Sequence, residues 1–534
     1  MNQRPDNEFV KNYFKWSFLV LVLFFLIGGT PITPRFFNKM RHAFYLEILI
    51  VIFFLSKEKY RSILKSFFND PRNFLSEKSK NFYLKVLSVF YFFLYLKVSF
   101  LNYFSFNVHA VDFSIYDWIM PSLFHTGSFY SPACDCNHLG YHQTFILFLT
   151  APLHFLINHP IFSVILHPVV AWLGYFPLKR ILKDFKLPNI YQVLVVFIYF
   201  NYFGISHIVK NNLHIEVYYL PLILWLLFFI KTERFIGVIG SSLLLFIVKE
   251  DAPLYISSTL FASYVFIKRD FRYLLLSIAS ILFFYVNIKF IIPPFKGTED
   301  YEFVNAVSKY GKDIAGTIKG IISSPIEVLK DVVTGGWVKY VMYFFFLPLT
   351  SGFFIIATFP IIFIHSIASS PLMRNMVLYY SAPLLPFLFY FLIDFLSKNR
   401  IVFLKFKLSL SARVKGYFLI GILLTSTLIG SGYLTFHSPR FNYSQFVANV
   451  EKIPNDKLIC AMDSIFPHIG YEKRLLRMSD KCRVGEVEIF IIHRETWLND
   501  LSQDQFDRII DDVEKSGIYK KNVYKDGFIF YEKE

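Results

Sequence analysis

The stretch FYLKVLSVFYFFLYLKVSFLNYF, residues 82–104, decides the fold class of this chain. It is mostly apolar and long enough to cross the hydrocarbon core of a bilayer as a helix. The whole chain is 55% apolar, which is untypical of a soluble protein. Because these runs lack the alternation of barrel strands, and backbone polar groups in lipid must be satisfied locally, we predict an all-α polytopic transmembrane bundle. The further runs are 14–30, 43–56, 190–209, 214–231, 235–248, 252–267, 272–292, 376–396 and 415–436, with two longer apolar regions, 142–182 and 338–369.

The segment directly after this run, 106–142, contains no lysine or arginine, although the chain contains 55. Basic residues concentrate in short loops: 57–80 carries seven against three acids, and 398–415 carries six and no acid. The positive-inside rule places such loops in the cytoplasm. It therefore predicts a multi-pass cell (inner) membrane protein with a cytoplasmic N-terminus, outer loops at 106–142 and 294–337, and an extracytoplasmic C-terminus. Because the net charge of +16 lies in these loops, we expect no nucleic acid partner.

The two long apolar regions set the number of crossings. Region 142–182 is long enough for two spans, yet the charge pattern requires an odd number. We favour a re-entrant or surface-lying first half, 143–157, followed by one span. The alternative leaves the basic residues at 179–186 outside, against the rule. With 338–369 divided into two short crossings, the prediction is about 13 transmembrane helices.

The composition becomes that of a soluble protein after Phe436, which predicts a membrane domain, 1–436, and a small extracytoplasmic α/β domain, 437–534. Residues 458–462 and 487–492 indicate short buried strands, and 500–515 has apolar positions at helical spacing. Four cysteines are too few for a disulfide scaffold, but Cys460 and Cys482 can pair in an oxidising compartment. For Cys134 and Cys136 a pair of loop thiols is favoured over a metal site.

Four polar clusters fall on the predicted outer side. In DFSIYD, residues 112–117, a helix would separate Asp112 and Asp117 by about 140°, so that one can face a cavity while the other anchors the loop. The other clusters are NHLGYH at 137–142, NNLHIE at 211–216 and KED at 249–251. Each alone is also compatible with a solvated loop or a polar helix start. Their position together on one side of the bilayer favours a functional cleft.

These motifs resemble, in order and spacing, domain-of-unknown-function family 2079, a family of prokaryotic polytopic membrane proteins that looks related to the GT-C glycosyltransferases. The resemblance covers roughly 85–490 and includes LYYSAP at 378–383. Three positions depart from the family pattern. Ser114 stands where glycine is usual, Tyr141 replaces a common acid, and Tyr379 replaces the histidine of a His-Tyr pair.

The resemblance implies a GT-C-like bundle that moves a sugar from a polyprenyl-phosphate donor to an extracytoplasmic glycan, lipid or protein acceptor, in contact with membrane lipid. Asp112 or Asp117 would be the catalytic base, with Asp112 favoured. Lys249 or Arg374 would stabilise the departing phosphate. The expected substrate-binding residues are His138, His142, His214, Glu216, Glu250 and Asp251, together with Lys249 and Arg374. GT-C enzymes differ in their need for a divalent metal, so a metal requirement stays open.

Two other functions compete with this hypothesis. A transporter or flippase of lipid-linked glycan would place ionisable residues near the bilayer midplane, often within repeats, and neither pattern is evident in the sequence. A non-catalytic membrane protein would leave the Asp and Lys-Glu-Asp clusters without a role. We therefore expect a glycosyltransferase.

Overall fold

The computed structural model of the chain describes residues 6–30, 35–56, 65–296, 309–311, 314–403, 406–430, 433–437, 442–494 and 501–534. Parts of the predicted loops 57–80, 294–337 and 398–415 lie outside these residues. The described chain is mostly helical, with a small sheet near the C-terminus. Its helices are α1 (Asp6–Ile27), α2 (Met40–Ser56), α3 (Glu77–Phe104), α4 (Ile115–Thr126), α5 (Leu147–Ile157), α6 (Ile161–Leu173), α7 (Tyr175–Asp184), α8 (Asn189–Asn201), α9 (Phe203–Lys210), α10 (Tyr219–Lys231), α11 (Phe235–Phe246), α12 (Ala252–Phe266), α13 (Phe271–Val286), α14 (Pro293–Lys296), α15 (Ile314–Ser323), α16 (Pro325–Thr334), α17 (Trp337–Met342), α18 (Gly352–Ser366), α19 (Pro371–Arg374), α20 (Leu385–Ser397), α21 (Ala412–Thr425), α22 (Tyr443–Glu451) and α23 (Gln503–Ser516).

The apolar helices are those of a multi-pass membrane protein. Four helical segments are long and apolar enough to cross a membrane: Glu77–Phe104, Ile161–Asp184, Phe271–Lys296 and Ala412–Ile429. The pair α8 and α9 adds a fifth if its 42° bend is counted as a break within one span. Further apolar helices are shorter, at 10–17 residues. The predicted count of about 13 crossings is therefore not matched by full-length helices within the described residues.

The two long apolar regions, 142–182 and 338–369, are divided into helices in different ways. In 142–182, α5 has 11 residues, whereas α6 and α7 continue as one membrane-length segment, which is the division that the sequence favoured. In 338–369 the expectation of two short crossings is wrong. Helix α17 has six residues and is about 9 Å long. The chain leaves the helix because Phe345 and Phe346 both adopt positive φ, and only α18, with 15 residues, approaches span length.

Helix α3 separates two chemically different ends of the bundle. It begins after Ser76, whose hydroxyl accepts a hydrogen bond from the Ser79 N–H, and it continues for 28 residues, or about 42 Å. At its N-terminal end the two most basic loops meet, because the Arg413 guanidinium donates to the Asn69 side chain over 2.7 Å. At its C-terminal end the chain enters the lysine-free segment 106–142.

Two short antiparallel strand pairs precede the C-terminal region: β1 (Tyr130–Ser131) with β2 (Cys136–Asn137), and β3 (Arg400–Phe403) with β4 (Phe406–Ser409). The C-terminal region forms a five-stranded mixed sheet of β5 (Leu458–Ala461), β6 (Arg474–Arg477), β7 (Ile489–His493), β8 (Tyr519–Val523) and β9 (Phe528–Lys533). The strand order is β6-β5-β7-β9-β8, and β5 is parallel to both of its neighbours. Strand β7, IFIIH, is buried throughout because it is central to the sheet. Helix α23 buries Phe506, Ile510 and Val513, which share one face.

This C-terminal region packs directly on the segment that follows α3. Phe106, Ala110 and Trp118 belong to the same buried cluster as the sheet residues. An ion pair of 2.7 Å between Lys481 and Asp135 adds a contact at the rim. The C-terminal end of α3 is therefore covered by the C-terminal region.

The four cysteines form two disulfides, Cys134–Cys136 and Cys460–Cys482. The pairing of Cys460 with Cys482 is the one that the sequence allowed. The prediction of two loop thiols at Cys134 and Cys136 is wrong, because a hairpin of β1 (Tyr130–Ser131) and β2 (Cys136–Asn137) brings their sulfur atoms together. Neither cysteine is then a thiolate that could bind a metal.

Candidate functional site

Asp112 lies in a single π-helical turn, Ala110–Ser114, between α3 and α4. Turns of this kind are frequent at functional sites. The Asp112 side chain is 37% exposed, and its Oδ1 lies 4.0 Å from Nε2 of His214 and accepts a 3.4 Å hydrogen bond from the Tyr379 hydroxyl. Burial by the surrounding protein raises the pKa of Asp112, and the nearby His214 opposes that rise. Asp112 is thus an accessible carboxylate with raised proton affinity, which suits a general base.

Three buried side chains next to Asp112, those of His214, Glu216 and Lys249, contact one another in that order and form a buried row. Nδ1 of His214 contacts the Glu216 carboxylate, and Nζ of Lys249 lies 2.6 Å from Oε1 of Glu216. The three side chains are only 5%, 4% and 10% exposed. Because a carboxylate faces Nδ1, that nitrogen carries the proton, and Nε2 is directed towards Asp112 and the Tyr116 hydroxyl, 3.4 Å away. The contacts in this row fix the tautomer and orientation of His214 beside the partly exposed Asp112 carboxylate.

Lys249 remains a cation although its side chain is buried. Burial by itself lowers the pKa of a lysine, but the carboxylates of Glu216, Asp251 and Glu250 outweigh it and hold the pKa of Lys249 well above its ordinary value. The residue lies in the turn between α11 and α12, so its position depends on how these two helices pack. The site therefore contains one permanently charged ammonium group.

The remaining acids of the Lys-Glu-Asp turn have separate partners. Glu250 accepts a hydrogen bond from the backbone N–H of Gln143 over 3.0 Å and lies 2.7 Å from Nδ1 of His142. Asp251 accepts hydrogen bonds from the hydroxyls of Tyr219 and Tyr255. Glu250 therefore links the 137–142 motif to the Lys-Glu-Asp turn, whereas Asp251 links α10 to α12.

His138 begins a tight turn, His138–Gly140, and His142 lies just after it. The His138 ring lies 5.3 Å from the Tyr116 ring and 5.6 Å from the His142 ring. Burial, and then the neighbouring His142, lowers the pKa of His138 well below its ordinary value, so this imidazole is neutral. Within the described part of the chain, Nε2 of His138 has no hydrogen-bond partner. A Cβ at Gly140 would meet the Lys296 backbone at 2.8 Å, which explains the glycine.

Asp117 is directed away from this cluster. Its carboxylate is 1% exposed and accepts hydrogen bonds from Ser163 Oγ over 2.5 Å and from the Tyr471 hydroxyl over 2.7 Å. Burial raises the pKa of Asp117 to about 7, and these two hydrogen bonds moderate the rise. Asp117 thereby joins α4 to α6 and to the C-terminal region. The two acids of the DFSIYD motif point in different directions, and Asp117 occupies an anchoring position.

The C-terminal region also approaches Asp112. Asp463, which follows β5, accepts a backbone hydrogen bond from the Ala110 N–H through its carbonyl, and its Oδ2 lies 3.3 Å from Nδ1 of His109. Arg477 at the end of β6 lies 3.7 Å from the other carboxylate oxygen of Asp463. These contacts fix the start of the π-helical turn that presents Asp112.

Arg374, which the sequence predicted as a substrate-binding residue, does not lie in the Asp112 cluster. It ends α19, and its charge acts on Asp331, which bonds to Lys309 and Tyr310 in a separate polar group. Within the described residues, no three His, Cys, Asp or Glu side chains converge as metal ligands. The carboxylates of the site are instead engaged by lysine, histidine, tyrosine and backbone donors. This arrangement does not fit a metal, and we assign it no step.

Sequence reasoning missed the tyrosines of the site. Tyr379 stacks on His214 with ring centroids 3.2 Å apart, and Tyr116 approaches the same histidine from the other direction. With 34 tyrosines in the chain, composition gives no signal for these two. A signal for Tyr379 existed in the family pattern, because it stands where a histidine is usual. This departure from the family pattern, at Tyr379, lies at the centre of the cluster around Asp112 and His214.

Comparisons with known proteins place the chain in a family. No curated protein matches its sequence. Among solved structures, the crystal structure of ArnT from Cupriavidus metallidurans in the apo state aligns with a TM-score of 0.49 and 10% sequence identity, covering 83% of this chain and 97% of that chain. A family model described as "Predicted membrane protein (DUF2079)" matches residues 102–530, which include all four polar clusters. The chain therefore belongs to the DUF2079 family of membrane proteins.

Proposed function

We propose that this protein is a GT-C-type membrane glycosyltransferase that moves a sugar from a polyprenyl-phosphate donor to an extracytoplasmic acceptor. The observation that carries the proposal is the exposed Asp112 carboxylate beside the buried row His214–Glu216–Lys249. An accessible carboxylate base and a nearby cation are groups that would assist such a transfer, and the imidazole lies beside the base.

Asp112 is the base in the proposed reaction. It accepts the proton of an acceptor hydroxyl while that oxygen bonds to the anomeric carbon of the donor sugar. The bond between that carbon and the phosphate oxygen breaks, and polyprenyl phosphate leaves with the bonding electrons. The raised pKa of Asp112 strengthens it as a base, and its 37% exposure admits the acceptor.

The buried row has a positioning role. Glu216 holds the proton on Nδ1 of His214, so that Nε2 faces Asp112 and Tyr116 in a single orientation. Lys249 compensates the charge of Glu216 and, in this proposal, is the ammonium group that a departing phosphate would approach. His138, with its unpartnered Nε2, and His142, held by Glu250, are placed to bind sugar hydroxyls.

An extracytoplasmic position of the site is part of the proposal. The basic loops lie at the opposite end of α3, and the positive-inside rule places them in the cytoplasm. Both disulfides lie at the site end, in segment 106–142 and in the C-terminal domain. Disulfides persist in oxidising compartments outside the cytoplasm.

The test is complementation of a deletion strain of the native host with Asp112→Asn. Loss of a general base lowers the rate by about 10²–10⁴-fold, so we expect the glycan or glycolipid product to be lost from mass-spectrometric profiles of the cell envelope. Asp135→Asn is the matched control, because Asp135 lies in the same segment but pairs with Lys481 at the rim. It should restore the native profile. A native profile from Asp112→Asn, at normal protein level, would rule out the assigned base.

A further inference from the structure

A cavity lies at the end of the bundle where Lys398 begins the basic loop 398–415. It measures about 570 Å³, a volume in the range of small-molecule sites, and is lined by the ends of α10 and α12, the start of α18 and one face of α20. Glu216 precedes α10 and Lys249 precedes α12, so the Asp112 cluster lies at the opposite ends of these two helices. None of that cluster lines this basic-end cavity. It is therefore a separate candidate site.

The charges in the basic-end cavity leave one cation in excess. Asp394 and Lys398, one turn apart on α20, form an ion pair with each other. Lys231, the last residue of α10, also lines the cavity, and its ammonium group lies 4.6 Å from the centre of the Phe185 ring. Among the described residues no acid pairs with Lys231. The cavity therefore has a free positive charge that suits an anion.

The start of α18 brings backbone donors to the same cavity. Gly352 and Phe353 are the first two residues of this helix, and N–H groups in these positions have no partner within a helix. The Ser351 hydroxyl accepts from the next N–H, that of Phe354, over 3.3 Å. A Cβ at Gly352 would meet the Phe266 ring at 2.6 Å, so the close packing of the wall requires glycine there. The start of a helix carries partial positive charge and favours an anion.

Tyr390 adds a polar group that lacks a partner. The residue lines the cavity and is only 7% exposed. Its hydroxyl makes no hydrogen bond within the described residues, and its oxygen is not closed off from solvent, so it is open to a ligand. Buried hydroxyls are nearly always hydrogen-bonded. The Phe185 ring contacts both the Tyr390 ring, at 5.7 Å between centroids, and the Lys231 ammonium group, which makes these two polar groups neighbours.

The apolar part of the wall continues to the outer surface of the bundle. Phe266 and Ile267, at the end of α12, line the cavity and are 50% and 38% exposed. Exposed apolar side chains at the end of a membrane helix lie where acyl chains meet headgroups. A phospholipid presents its phosphate and its acyl chains side by side, whereas a soluble anion would leave this apolar rim uncovered.

We propose that the basic-end cavity binds one anionic phospholipid, with its phosphate at Lys231, Tyr390 and the first N–H groups of α18 and its acyl chains against Phe266 and Ile267. A zwitterionic lipid adds an ammonium group to the phosphate. Among the described residues that line the cavity, Asp394 is the one acid, and Lys398 already pairs with it. Basic pockets between membrane helices suit anionic headgroups. The site does not depend on the transfer reaction proposed above.

The test uses the full-length chain in a neutral, phosphate-free detergent, with native mass spectrometry to count bound lipid. Dioleoylphosphatidylglycerol, dioleoylphosphatidylcholine and glycerol 3-phosphate are titrated separately. We expect one phosphatidylglycerol to bind about tenfold more tightly than phosphatidylcholine. Lys231→Gln removes the cation and Tyr390→Phe removes the hydroxyl. Each should weaken phosphatidylglycerol binding about tenfold, because a hydrogen bond to a charged group is lost.

Two further variants separate the loss of a contact from misfolding. Lys268→Gln is the matched control, because Lys268 lies in a neighbouring basic turn, pairs with Glu233 and does not line the cavity. It should bind like the native chain. Lys231→Arg keeps the positive charge and should bind phosphatidylglycerol, unlike Lys231→Gln. Equal binding of the two phospholipids, binding of glycerol 3-phosphate as tight as that of phosphatidylglycerol, or native affinity in both Lys231→Gln and Tyr390→Phe would overturn the proposal.

Discussion

Asp117 is a buried carboxyl group that should leave a signature in the pH dependence of stability. Its pKa is raised from 3.8 to about 7 by burial. The folded chain therefore binds this proton more tightly than the unfolded chain, and the stability that it contributes is present below pH 4 and is lost as the pH rises to about 7. The loss is at most roughly 4 kcal/mol.

We expect Asp117→Asn to remove this slope, because an amide does not ionise and can still bond to Ser163 and Tyr471. Thermal unfolding of both chains between pH 4 and pH 8 measures the effect, and the variant should gain stability relative to the native chain as the pH rises. Parallel curves for the two chains would show that Asp117 is already ionised throughout this range.

The ion pair of Lys249 with Glu216 allows a second prediction about single residues. Glu216→Gln leaves the buried Lys249 cation without its nearest carboxylate and should cost about 3–5 kcal/mol of unfolding free energy. Lys249→Met added to Glu216→Gln removes the unpaired charge, so the double variant should recover much of that loss. Melting temperatures of the single and double variants test this, and a double variant as unstable as Glu216→Gln would contradict it.

At the scale of elements, the apolar pattern located helices better than it located their ends. The run at 82–104 became α3, but the run at 190–209 is broken between Asn201 and Phe203. The break and the positive φ of Phe345 and Phe346 depend on packing partners from distant parts of the chain, such as the Tyr340 carbonyl that accepts from Tyr202. A local window of sequence contains no information about those partners.

The same limit applies to the candidate site. The angle between Asp112 and Asp117 predicted that they would diverge, and charge placement predicted that the polar motifs would meet at one end. Neither argument could show that Glu216 pairs with Lys249, or that Tyr379 covers His214, because these contacts join segments far apart in sequence. Tertiary packing decides which polar groups become partners.

The disulfide between Cys460 in β5 and Cys482 gives a prediction for the C-terminal sheet. It closes a loop with a sequence separation of 22, and its removal should cost about 3 kcal/mol of unfolding free energy. The pair Cys134–Cys136 has a separation of 2 and should contribute less. Comparing the melting temperatures of Cys460→Ser/Cys482→Ser and Cys134→Ser/Cys136→Ser tests this difference. A larger loss from the second pair would contradict it.

At the scale of the whole molecule, the C-terminal region covers one end of the bundle. It holds the start of the Asp112 turn through Asp463 and bonds to Asp117 through Tyr471. The lysine-free segment 106–142 lies between this cover and the apolar helices. Its lack of lysine and arginine is the basis of the predicted extracytoplasmic position, and its polar residues contact the C-terminal region and the site.

An extracytoplasmic position of the Asp112 site is predicted from the same charge pattern and can be tested with single new cysteines. All four native cysteines are in disulfides, so a thiol reagent should label only an introduced residue. Val523→Cys, at a position 65% exposed in the C-terminal domain, should react with a membrane-impermeant maleimide in intact cells. Arg269→Cys, in the exposed basic turn between α12 and α13, should react only after permeabilisation. The reverse pattern would place the Asp112 site in the cytoplasm, and an extracytoplasmic acceptor could not then reach its base.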